Sequence, residues 1–153
     1  MFKFSLQQVA DALEHETAQQ AGVLRALNER LDAGLEAVGA ASREIERTRG
    51  LQQERLAPGR QFSVDALRDL RAYAGERRQE LQAREETAAA LENECAQQRE
   101  RVQEGVAAQK AVQQVRERRL REHQAEQLRL AEKESDALWL ACRGHDTEEN
   151  ENG

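Results

Sequence analysis

Apolar residues recur along this chain at alternating spacings of three and four, with polar and charged residues between them. The clearest run reads Leu24, Leu27, Leu31, Gly34, Val38, Ala41 and Ile45, the period of a left-handed coiled coil. Upstream, Leu6, Val9 and Leu13 keep similar spacings, and Glu16 and Gln20 weaken the stripe. Val23 and Leu35 widen it at two places. A second stretch carries two interleaved heptad series. One is Leu67, Ala74, Leu81, Ala88, Cys95, Val102 and Gln109, apolar or thiol except at its end, which places Cys95 in a core. The other, Leu70, Arg77, Arg84, Leu91, Gln98, Gly105 and Val112, is polar at three positions, so this seam should be thin. The pattern then drifts through Val115 and Leu120 to Leu128, Leu130, Leu138 and Leu140.

Between the two stretches stands the one proline, in Ala57-Pro58-Gly59-Arg60-Gln61-Phe62. Proline lacks the donor that continues a helix, and glycine permits a tight reversal. Each flank is too polar to bury itself in a globule. The pattern therefore predicts an all-α fold: a long antiparallel two-helix coiled-coil hairpin, its second helix longer than its first. The first helix should run over about 5–56, the turn over 57–62 and the second helix over about 63–143. Ser5 and Gln8 form a capping box at the first start, with Phe4 and Val9 at the staple positions. Ser63 opens the second helix, flanked by Phe62 and Leu67. Gly144 should cap its end, leaving 144–153 as a disordered acidic tail.

Folding about the turn pairs residue i with roughly residue 119 − i, so Leu24 should face the region of Cys95 and Ile45 that of Ala74. Met1 then reaches only about position 118. The second helix should project some 25 residues farther, or ~37 Å at helical rise. The two stripes satisfy each other, which predicts a monomer in dilute solution. The projecting segment keeps spare leucines and Trp139, which calls for a partner.

Composition supports this. Charged residues make up 34% of the 153 positions and aromatics 3%, too few large side chains for an ordinary core of that size. The net charge of −6 is uneven. Four acids and no Lys or Arg follow Gly144, whereas Lys110, Arg116, Arg118, Arg119, Arg121 and Arg129 dominate residues 110–129. That basic run fits a solvated face or a dock for an acidic protein. Nucleic acid fits poorly, since no stacking aromatics stand nearby. Cys95 and Cys142 lie on the same predicted helix at ~70 Å separation, too far for a disulfide. No segment nears the ~18 apolar residues of a membrane span, and the start Met1-Phe2-Lys3-Phe4-Ser5 is not a signal peptide. A cytosolic protein is expected.

Chemistry is sparse. There is no phosphate loop, G-x-S-x-G or H-E-x-x-H, and His15, His123 and His145 are scattered. Cys142 and His145 make too few ligands for a metal site. The expectation is a protein that is not an enzyme and has no cofactor or metal.

Three segments, in their order and spacing, resemble the FliJ family, the coiled-coil stalk proteins of the flagellar type III export apparatus. They are Phe2-Lys3-Phe4-Ser5-Leu6-Gln7-Gln8-Val9; Phe62-Ser63-Val64-Asp65-Ala66-Leu67 leading to Tyr73; and Lys110 to Arg121 followed by Glu132-Lys133-Glu134-Ser135-Asp136-Ala137. The resemblance spans positions 2–143. It implies a cytoplasmic protein, peripheral to the inner membrane at the flagellar base. It would bind the hexameric export ATPase with the end holding both termini, contact the export gate and hand on export chaperones. With the charge map, it points to Phe2, Phe4, Arg116, Arg118, Arg119, Arg121, Arg129 and Trp139 for the ATPase. For the gate it points to Tyr73, which matches the family's aromatic position, with Arg77, Glu80 and Arg84 on the next turns, where relatives can be less charged. Asp136 matches the family's near-terminal acid, and Ala137 replaces the acid that usually follows. The related stalks of injectisomes and a generic coiled-coil scaffold are the alternatives.

Overall fold

The computed structural model describes residues 1–151, with side chains through Gly144. They form two helices, α1 (Gln7–Arg55) and α2 (Val64–Glu151), paired as a helical hairpin whose second helix is the longer. Contacts divide the chain into two units. One is Glu16–Glu104, which holds the turn. The other joins Met1–His15 to Gly105–Gly153.

In the first unit the turn follows from its residues. The Arg60 amide donates to the Ala57 carbonyl at 3.3 Å across Pro58 and Gly59. Gly59 has φ +87°. Proline at the second position and a positive-φ glycine at the third are the requirements of a type II turn. Ser63 then caps α2: its hydroxyl accepts from the Ala66 amide at 3.4 Å, and its carbonyl accepts the first helical bond, from Leu67, at 3.0 Å.

The helices of this unit meet along the expected heptads, mainly through small side chains. Ala41, Ala74, Ala88, Leu91 and Cys95 are buried, together with Thr17, Thr48 and Gln98. Small residues let two helices approach closely but remove little apolar area from water, about 25 cal/mol per Å². The polar seam positions are occupied by side chains that find acceptors. Gln98 Nε2 donates to the Gln20 carbonyl at 3.0 Å and to Gln20 Oε1 at 2.5 Å. Arg84 Nη1 donates to the Ala37 carbonyl at 3.2 Å. Buried polar atoms are costly unless paired, so these bonds favour one register. The pairs Gln20–Gln98, Ala37–Arg84 and Glu44–Tyr73 have residue numbers summing to 118, 121 and 117, close to the expected 119. Ile45 and Ala74 line one small pocket, also as expected.

The α1 stripe differs from its sequence reading at the weak end. Val9 is exposed at 47%; the partly buried positions are Leu6, Ala10 and Leu13. The next seam residue is Thr17, not Glu16. Steps of four and three from Leu6 reach Ala10, Leu13, Thr17, Gln20 and Leu24 without interruption, so the seam continues but turns polar. Val23 and Leu35 are exposed at 48% and 46% and do not widen it.

In the second unit the N-terminus differs too. Helix α1 begins at Gln7, and the Ala10 amide donates to the Leu6 carbonyl at 2.9 Å. The expected cap from Ser5 is not made. Instead Ser5 Oγ accepts from Arg119 Nη1 at 2.6 Å, a charge-assisted bond stronger than a neutral cap. The chain before Gln7 is not helical, so each residue spans up to ~3.3 Å rather than 1.5 Å. Phe2 therefore reaches His123, beyond the expected limit near 118. At the other end, α2 does not stop at Gly144 but continues to Glu151. Gly59 is the glycine with positive φ among those described, so Gly144 makes no left-handed cap. One glycine costs a helix only about 1 kcal/mol, and the glutamates that follow are good helix formers. Whether the expected tail is disordered past Glu151 lies outside the described residues.

Candidate functional site

In the unit built from Met1–His15 and the chain from Gly105 on, the N-terminal segment docks on α2 through its two aromatic residues. The Phe2 and His123 rings lie 5.6 Å apart, tilted by 43°. The Arg119 guanidinium stands 6.0 Å from the Phe4 ring centre while it donates to Ser5. Phe2, Phe4 and Arg119 thus lie on the same stretch of α2; the two rings are half-buried and Arg119 stays exposed. Farther along, Gln109 Nε2 donates to the Leu13 carbonyl at 3.3 Å. Beside it a groove of about 380 Å³ opens between the helices, with Phe4, Ala10 and Val112 against Asp11, Lys110 and Arg116. It exists because the facing side chains there are small or polar.

The remaining arginines point elsewhere. Arg118 and Arg121 border a shallow surface with Ala111, Gln114 and Val115, and the Arg121 Nε donates to the Glu117 carbonyl at 3.3 Å. Every residue from Gln124 to Gly144 is exposed. Leu128, Leu138, Trp139 and Leu140 are exposed at 63, 68, 57 and 63%. Arg129 lies in this extension. The Arg143 guanidinium stacks 4.6 Å over the Trp139 ring, a contact along the helix that still leaves most of the indole open.

In the unit Glu16–Glu104, Tyr73, Arg77, Glu80 and Arg84 form one cluster on successive turns of α2. Glu80 pairs with Arg77 at 2.6 Å and with Arg84 on its other side. Arg77 also covers the Tyr73 ring at 5.1 Å, and its Nε is buried without an acceptor. Tyr73 itself is exposed, and its hydroxyl donates to Glu44 Oε1 at 3.1 Å. That bond to a carboxylate raises the phenol pKa above its ordinary 10; burial and the Glu44 and Glu80 charges act the same way, and Arg77 opposes them. Arg77 and Arg84 occupy seam positions, so they serve the hairpin as well as any outside contact.

No protein-family model, curated protein or solved structure matches this chain. Among the described residues no group of His, Cys, Asp and Glu could hold a metal ion, and no helix is long and apolar enough to cross a membrane. Three partners escaped the sequence reading: Glu44 for Tyr73, His123 for Phe2 and Ser5 for Arg119. The pairing rule puts Tyr73 opposite position 46, which could have found Glu44. Nothing in the pattern marks the other two.

Proposed function

We propose that this chain is a non-enzymatic stalk protein of the flagellar type III export apparatus. It binds the hexameric export ATPase with its terminal unit, contacts the export gate near Tyr73 and passes on export chaperones. It works in the cytoplasm, peripheral to the inner membrane through its protein partners. The observation that carries this reading is the α2 extension. Beyond the docked N-terminus it offers 21 consecutive exposed residues, Gln124 to Gly144, preceded by the basic stretch. A helix with spare apolar and cationic side chains suits insertion into a ring lined by acidic and apolar surface. An asymmetric helix in such a ring touches six equivalent subunits unequally. Its binding can therefore bias their nucleotide states, by differential affinity alone.

The test uses purified export ATPase and the soluble segment of the gate. Arg118→Glu with Arg121→Glu should abolish ATPase stimulation and leave gate binding intact. Arg119 is spared because it holds Ser5 and Phe4. Tyr73→Ala should weaken gate binding and leave stimulation intact. Tyr73 belongs to the unit Glu16–Glu104, and Arg118 and Arg121 belong to the other, so the two effects should be independent. The ATPase contact should also weaken as salt screens it. Unchanged stimulation by the double reversal would reduce the basic run to a solvated face.

A further inference from the structure

The reversal between the two helices carries apolar side chains that neither helix covers. Leu56, Phe62 and Val64 are exposed at 52, 52 and 67%. Every residue from Pro58 to Asp65 is exposed, so the bend is convex and these side chains project from it. The same segment is basic. Residues 55–64 hold Arg55 and Arg60 and no acid, and neither arginine forms an ion pair among the described residues. The flanking acids are Glu54 and Asp65, and Asp65 pairs with Arg68 at 3.9 Å. The whole chain carries −6, so everything outside this +2 segment sums to −8. The backbone of the tip is already served. The Leu56, Ala57 and Arg60 amides donate to the Gln52, Glu54 and Ala57 carbonyls at 3.1, 3.3 and 3.3 Å, and Pro58 has no N–H to satisfy. Donors bonded within the chain cost little when water leaves them.

We propose that this tip docks on an anionic lipid surface. Leu56, Phe62 and Val64 enter the boundary between headgroups and acyl chains, which surface-bound apolar faces reach at a depth of ~5–10 Å. Arg55 and Arg60 lay their stems along that boundary and keep their guanidinium groups at the lipid phosphates. Three features select lipid. A soft planar layer yields around a convex tip, whereas a protein partner would need a matching hollow. Apolar side chains beside unpaired arginines complement acyl chains beneath phosphates. The acidic remainder of the chain is repelled by an anionic leaflet, so contact through the basic tip is favoured over any other. Each arginine held near such a surface is worth about fivefold in partitioning. Two of them with three apolar side chains make a weak, reversible contact and not an anchor. The docking adds a direct lipid contact to those made through partners. It does not rest on the stalk reading and is measured on the purified chain alone.

The full chain is spun with phosphatidylcholine vesicles, with and without about one third phosphatidylglycerol. It should sediment with the anionic vesicles only, and rising salt should release it. Phe62→Asp should abolish binding, with helicity by circular dichroism unchanged because the residue precedes α2 and is exposed. Arg55→Gln with Arg60→Gln should weaken binding by about ten- to thirtyfold. Arg99→Gln with Arg101→Gln removes the same charge from exposed positions away from the turn and should change binding by less than about twofold. Trp139 belongs to the other unit, so its fluorescence should not shift on adding vesicles. A Trp139→Phe chain that also carries Phe62→Trp should shift to the blue. Failure to sediment with anionic vesicles at low salt, equal losses from the two arginine pairs, or a blue shift of Trp139 in the wild type would each overturn the proposal.

Discussion

Replacing Gly34 by alanine measures how close the two helices come. Gly34 is a seam residue of α1, and a Cβ built on it would lie 3.6 Å from the Leu91 Cδ1. That is ordinary van der Waals contact, so nothing need move. Glycine in a helix interior costs about 0.8–1.0 kcal/mol relative to alanine. A buried methyl adds about 0.8 kcal/mol, of which a half-covered site returns about half. Gly34→Ala should therefore stabilise the protein by about 1.2–1.4 kcal/mol. Gly22 is the control. It is exposed and a Cβ there meets nothing within 4 Å, so Gly22→Ala should return only the propensity, about 0.8–1.0 kcal/mol. Urea melts followed by circular dichroism would read both as shifts in midpoint at constant slope. For a chain of this length the Gly34 variant should melt about 3–5 °C higher. If Gly34→Ala destabilises while Gly22→Ala stabilises, the helices lie closer at Leu91 than described and the packing argument fails.

The cysteines give a second test. Cys95 is 2% exposed and Cys142 is exposed, so a thiol reagent should label Cys142 at once and Cys95 only on unfolding. Cys95→Glu buries an unpaired charge and should cost several kcal/mol, on the order of 3, against little for Cys142→Glu; equal losses would mean a wrong heptad register. The single tyrosine makes a third test clean. Its folded pKa is raised above the ordinary 10 by the bond to Glu44, so the proton favours the folded state. That stability is fully present below pH 10 and is lost as pH rises through the folded value. Phenolate absorbance should show the native titration displaced upward and returned by Glu44→Gln; no displacement would sever the Tyr73–Glu44 bond.

Read alone, the chain determined its helices, its reversal and most of its seam. Heptads from Leu67 to Val112, the Ala57–Arg60 turn and the burial of Cys95 all follow from backbone geometry that repeats locally. The period of the helix and the φ demands of Pro58 and Gly59 need no knowledge of distant residues. Where side chains were weakly apolar the pattern misled. Val9 and Glu16 looked like seam positions because they are more conspicuous than Ala10 and Thr17, which only packing against α2 selects. Tertiary structure alone decided the partners of polar groups. Ser5 has the sequence of a cap, but a guanidinium more than a hundred positions away competes for its hydroxyl. Gln98 sits at a polar seam position, and only the facing helix decides that it donates to both the carbonyl and the side chain of Gln20. How far the N-terminus reaches was likewise decided by extended residues before α1, which cover about twice the distance of helical ones. Periodicity constrains which face a residue occupies. What that face meets depends on the register and reach of a second helix, and one helix's pattern does not contain it.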